Sequence, residues 1–210
     1  MSSAAQLRMG AATHTMDAPP LIPDPWALPS RGRAGMIALI ITDSAFFTIF
    51  VAAYVFYIGK SLAPPYPHDV LSYPLFNTGC LLSSSLTIVI ASRALHQGSI
   101  RKFAAWWFVT LVLGVEFLIG TGREWHRLIY QVGLTLRTNL FGTTYYSLVG
   151  LHALHVTIGA TAIALIMGLT WSGAVTQQHA ERIEVFSWYW HFVDAVWVVV
   201  FVTVYVVSTR

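Results

Sequence analysis

The chain has 210 residues, of which 56% are hydrophobic, 14% aromatic and only 10% charged, with a mean hydropathy of +0.63. A water-soluble domain carries about 25% charged residues, so the composition excludes an ordinary soluble protein and points to the membrane. The net charge of +3 is spread thinly, with no basic block of the kind that grips nucleic acid, and the lone Cys80 excludes an intrachain disulfide or a paired-thiolate centre.

Residues 1–34 hold the Pro-rich run "APPLIPDPWALPSRGR" and no apolar signal-peptide core or small-residue cleavage site. They are expected to form a poorly ordered cytoplasmic segment, with the first span acting as its own insertion signal. A hydrocarbon core of ~30 Å needs about 20 apolar residues per helix. Five segments qualify, at roughly 35–59, 75–95, 103–125, 142–171 and 186–208. The expected fold class is therefore all-α, a polytopic bundle of five transmembrane helices within residues 35–210. Seven Lys and Arg residues fall on the amino-terminal side of these spans and five on the other, which favours a cytoplasmic amino terminus and an outward carboxyl terminus. The prolines of "KSLAPPYPHDVLSYP" at 60–74 hold that loop open against the membrane surface.

Each span carries polar residues at membrane depth, where ionisable side chains face protein or water and are functional candidates by default. In the first, Asp43 lies about eight residues in, or ~12 Å deep at 1.5 Å per residue. In the second, "SSS" at 83–85 reads as a small-residue packing surface. In the third, Glu116 is near mid-membrane, and Glu116, Arg123 and Arg127 share one helical stripe beside Glu124 and His126. In the fourth, His152 and His155 are three apart on one face, and His155 matches Glu116 in depth, so the two are expected to pair. Gly150, Gly159, Ala160, Ala164 and Gly168 on that span read as close-packing positions.

The fifth span, "FSWYWHFVDAVWVVVFVTVYVV", holds His191 and Asp194 at ~7 and ~12 Å by the same count, forming one polar layer with Asp43. Helix-to-helix hydrogen bonding accounts for such a layer, and so does proton handling. His155, at ~22 to 24 Å, is offset from His191 by ~15 Å, too far for one bis-histidine haem. His152 and His155 with Glu116 lack a fourth metal ligand. No metal is expected in this chain. Trp106, Trp107, Trp125, Trp171, Trp188 and Trp190 fall towards span ends, where indoles favour the interface.

In order, "ITDSAFF", "FNTGCLLSSSLTI", "LGVEFLIGTGREWHRLI", "FGTTYYSLVGLHALHVTIG" and "WYWHFVDAVWVVVFVTVY" resemble the signature stretches of subunit III of the haem-copper respiratory oxidases, cytochrome c and quinol oxidases alike. The resemblance runs over residues 33 to 208. It implies a five-helix form, without the two additional amino-terminal helices of longer members and the phospholipid cleft they help to form, so that phospholipid contact is an expectation only. It implies an accessory subunit with no catalytic residue, haem or copper of its own, in the cytoplasmic membrane of a prokaryote. Its partners would be subunit I, which holds the haem and copper, subunit II, further subunits and membrane lipid, and it would support proton uptake and the stability of subunit I. By position, Asp43 takes the family's acidic site, and Glu124, His152, His155, His191, Asp194 and Trp197 fall on other polar or aromatic signature sites. Thr121 replaces the usual Gln, while Glu116 and Arg123 introduce charges where apolar residues are usual. Two other readings are a nitric-oxide-reductase-associated member of the same family and a stand-alone transporter or channel. The absence of internal repeats and of paired Gly/Pro-broken helices argues against the latter.

Overall fold

Apolar runs of this length satisfy their backbone polar groups in hydrocarbon only as helices or closed barrels. The computed structural model, which describes residues 31–61 and 64–208, is helical, with no strand among the described residues. In chain order the elements are α1 (Arg31–Tyr57), the four-residue α2 (Pro67–Val70), α3 (Leu75–His96), α4 (Ile100–Tyr130), α5 (Leu140–Trp171) and α6 (Ala180–Phe201). A short 3₁₀ turn, Gln177–His179, leads into α6, and a π-helical stretch, Val202–Val207, continues it. Among the described residues five helices are long and apolar enough to cross a membrane; the protein is a multi-pass membrane protein. Most of the expected amino-terminal segment, residues 1–30, lies outside the described residues.

The five long helices overlap the five apolar segments and are longer than them. α4 begins three residues before the expected 103 and ends five after 125, and the last helical stretch starts at Gln177 rather than near 186. Hydropathy marks where a helix enters hydrocarbon, whereas caps mark where it ends. Thr176 and His179 form a reciprocal capping box ahead of α6, and the Asn139 side chain accepts from the Gly142 amide at the start of α5. Gly98 and Gly173, at φ +74° and +77°, take the left-handed conformation that closes α3 and α5. The 60–74 loop is tied down more firmly than its prolines alone imply. Arg127 on α4 donates to the Val70 carbonyl at 3.0 Å, and Asn139 donates to the Pro65 carbonyl at 3.0 Å.

The bundle is organised around α6, which packs against α1, α3 and α5 and reaches α4 through its indoles. Trp190 is wedged between two glycines: a Cβ would lie 2.7 Å from its ring at Gly159 and 2.9 Å at Gly114. Its N–H donates to Ser84 Oγ at 2.8 Å. Trp107 donates to the Ile163 carbonyl at 3.0 Å, joining α4 to α5. Trp107 and Trp190 are fully buried and so correct the interfacial placement expected from sequence; position along a span says nothing about which face of the helix a ring occupies. Gly159 and Ala160 pack closely as expected, whereas Ala164 and Gly168 are exposed. α1 is attached along a narrow seam, with only Phe47 and Tyr54 buried, and turns Ile41, Ile49 and Phe56 outward. Outward apolar residues cost nothing where the surrounding solvent is itself apolar.

Candidate functional site

Counted from the helix ends rather than from the hydropathy boundaries, the polar residues stand farther along their helices. Asp43 is twelve residues beyond Arg31, ~18 Å along α1. His191 is fourteen residues beyond Gln177, ~21 Å, and His155 is sixteen residues from the Trp171 end of α5, ~24 Å. The expected ~15 Å offset between His155 and His191 is therefore absent. Contact across the helices agrees, since Tyr189 Oη donates to the His155 carbonyl at 3.1 Å. The two imidazoles nonetheless turn to different neighbours.

His155 faces α1. Its Nε2 lies 3.6 Å from Asp43 Oδ2, with both side chains largely covered, and Phe47 leans on the imidazole at a centroid distance of 4.9 Å. His155 Nδ1 is 2.8 Å from the Leu151 carbonyl. A carbonyl can only accept, so Nδ1 carries a hydrogen, and any further proton of the pair resides on Nε2 or on the Asp43 carboxyl. At 3.6 Å the contact is an ion-pair approach rather than a formed hydrogen bond. The expected pairing of His155 with Glu116 is replaced by this one: depth alone does not tell which face of α5 the ring occupies.

His191 and Asp194 face α3. Ser85 Oγ bonds Asp194 Oδ2 and lies 3.0 Å from His191 Nδ1. A serine hydroxyl has one hydrogen, so while Ser85 O–H donates to Asp194 the contact with His191 is a hydrogen bond in the tautomer that carries its hydrogen on Nδ1. Asp194 is buried, and its other oxygen has no hydrogen-bond partner among the described residues. His191 also lines a groove between α3 and α6 with Arg93, His96, Glu184 and Ser187, at whose edge His96 and Glu184 approach to 3.0 Å. The single polar layer expected from sequence is thus two clusters, Asp43–His155 between α1 and α5 and His191–Ser85–Asp194 between α3 and α6. Ser85 was the missing member. Its signal was the "SSS" triplet, in which the hydroxyls matter as well as the small size.

His152 is fully buried, with neither ring nitrogen bonded to any described residue. It is stacked on Trp197 at 5.0 Å and set edge-on to Phe117 at 5.7 Å. Trp197 in turn donates to Thr78 Oγ1 at 3.1 Å. Towards the other end of α4, Glu124 Oε2 accepts from Tyr205 Oη at 2.9 Å, and Tyr145 Oη lies 3.4 Å from the same Tyr205 oxygen. Thr121 bonds only back to the Phe117 carbonyl of its own helix, at 3.0 Å. Glu116 and Arg123 form an ion pair at 3.5 Å on the outer face of α4. Among the described residues no three His, Cys, Asp or Glu side chains converge as a metal site would require.

These clusters sit on the stretches that carry the resemblance, and comparison with known proteins bears it out. The family described as cytochrome c oxidase subunit III matches residues 29–209. The cytochrome c oxidase subunit 3 of Bos taurus is 33% identical over 185 residues, covering 82% of this chain and 68% of the relative. Those of Dugong dugon and Hippopotamus amphibius are each 32% identical over the same length and shares. With the match spanning every membrane helix, the chain belongs to the cytochrome c oxidase subunit III family.

Proposed function

We infer that the chain is the accessory subunit III of a proton-pumping haem-copper terminal oxidase in aerobic respiration. It packs on the subunit I that carries the oxygen-reducing haem and copper, alongside subunit II, and holds no redox centre itself. Its amino terminus faces the cytoplasm of a prokaryote. The observation that carries this reading is the family match over residues 29–209.

The polar clusters support a role in proton supply and in bracing the catalytic subunit. A groove of about 300 Å³ brings His96 and Glu184, near the helix ends, into line with His191. From there the hydroxyl of Ser85 leads to the buried Asp194. Asp43 and His155 form a second pair able to hold one exchangeable proton, and are joined to α6 by Tyr189. Beside them an apolar groove of about 340 Å³ between α1 and α6, lined by Phe47, Val51, Phe192 and Val196, fits the acyl chain of a phospholipid.

The test is Asp43→Ala in the intact complex. Proton supply predicts normal haem content and assembly with slowed steady-state turnover, most visibly at high pH where protons are scarce. A purely structural role predicts a lower yield of assembled complex instead. Wild-type turnover at every pH together with normal assembly would remove Asp43 from both roles.

A further inference from the structure

Away from the helix ends, the described ionisable residues of the membrane helices include an inward set and the outward pair Glu116 and Arg123. Asp194 is 3% exposed, and Asp43 and His155 are largely covered by the bundle. Glu116 and Arg123 instead lie towards the outer side of α4, with side chains 32% and 73% exposed, Glu116 at the edge nearest Cys80 of α3. Their surroundings on that face are Val112, Val115 and Ile119, all outward. Glu116 is sixteen residues from one end of the 31-residue α4 and fourteen from the other, which is mid-membrane. Charged groups at that depth almost always face a bundle interior or a water-filled cavity, because contact with hydrocarbon is costly. Their mutual ion pair at 3.5 Å leaves most of the Arg123 guanidinium uncovered.

Gly122, adjacent to Arg123, is exposed, and a Cβ added there would meet nothing within 4 Å. The packing of this chain does not require a glycine at that point, although glycine weakens a helix relative to alanine. A small residue on an outward face lets another helix approach closely. We propose that the Glu116–Arg123 face of α4 is the docking surface for a transmembrane helix of a different chain, one that carries an acceptor, carboxylate or amide, at the level of Arg123.

A second copy of this chain is the wrong occupant on charge grounds. Copies inserted in the same direction are related by an axis along the membrane normal, so equal residues meet at equal depth. Glu116 and Arg123 are seven residues apart, ~10 Å along the helix, so a symmetric pair would set Arg123 beside Arg123 and Glu116 beside Glu116. The occupant must therefore be a different helix, with complementary charge.

The experiment places photo-reactive benzoylphenylalanine at Ile119 and irradiates the complex in native membranes. The expected product is a single cross-link to another membrane protein of the complex, and recovery of that protein should fall about fivefold or more in the E116L/R123L variant. Adducts with lipid alone, a cross-linked dimer of this chain, or undiminished recovery in the charge-free variant would overturn the proposal. The proposal rests on membership of a multi-subunit complex. Copurification of the haem-copper subunit, scored in the same samples, distinguishes failure of that reading from failure of this surface.

Discussion

Trp197 lies over the ring of His152, with centroids 5.0 Å apart and planes inclined by 30°. This stack is the point at which all five membrane helices meet. Phe47 comes from α1 at 6.4 Å, Thr78 of α3 takes the indole N–H, and Phe117 of α4 stands edge-on to Trp197 at 4.7 Å. His152 serves here as a flat, fully buried packing element. His152→Ala should remove that ring and destabilise the subunit by ~3 kcal/mol or more, the usual cost of deleting a buried ring. His152→Phe keeps the volume and drops two unbonded nitrogens, so its change should stay within about 1.5 kcal/mol. Thermal retention of the subunit in the purified complex distinguishes them. Equal losses in both variants would mean that the ring nitrogens have a role beyond packing.

The positions of the spans were readable because apolar length is a strong and local signal, and "GLHALHVTIG" with "WYWHFVDAVW" carried the family. The pairings were not readable in the same way. Which residues meet across two helices depends on where each helix starts and how it is rotated, and an error of nine residues in the start of the α6 stretch displaced His191 by ~14 Å. Residues whose polarity is weak were overlooked for a different reason. Ser84, Ser85 and Thr78 can satisfy their own helix backbone, as Ser84 does towards Leu81, so the "SSS" triplet stood out for its small size and not as a source of partners for Trp190 and Asp194, and Thr78 did not stand out as a partner of Trp197.

Trp190 offers a test of steric fit that is independent of charge. Gly159→Ala would put a methyl 2.7 Å from the ring, and overpacking of this kind costs ~1 to 3 kcal/mol. The yield of assembled complex should fall, and adding Trp190→Phe should restore part of it by making room, although the bond to Ser84 is then lost. If the double variant is no better than the single one, the loss does not come from this contact.

The π-helical stretch Val202–Val207 buries Thr203, Val204 and Tyr205 in succession. The extra residue in the turn accompanies the placement of the Tyr205 hydroxyl on Glu124. Tyr205→Phe removes that donor and leaves a buried carboxylate oxygen without its partner, at a cost of ~1 to 3 kcal/mol. Glu124→Gln in the same background keeps the shape while removing the charge, and should recover stability. Thermal unfolding of the two variants beside the native complex is the measurement. Full stability of Tyr205→Phe would show that Glu124 does not rely on this bond.

Ser85 stands between His191 and Asp194 and is the simplest point at which to separate bracing from proton transfer. Ser85→Ala deletes the only hydrogen bond to the Asp194 carboxyl group among the described residues, so a charged Asp194 would be stranded in the bundle. Stability should drop by ~1 to 3 kcal/mol. Ser85→Ala with Asp194→Leu removes both halves of the interaction and should regain much of that loss, since two apolar groups of similar shape carry no unmet bond. Turnover provides the second readout. If the cluster only braces α3 against α6, the double variant should assemble and turn over normally at every pH. If protons pass along His191, Ser85 and Asp194, it should assemble normally and still turn over slowly, with the deficit growing as pH rises. Single and double variants that assemble equally poorly would show that the packing of α3 on α6 tolerates no change at these positions.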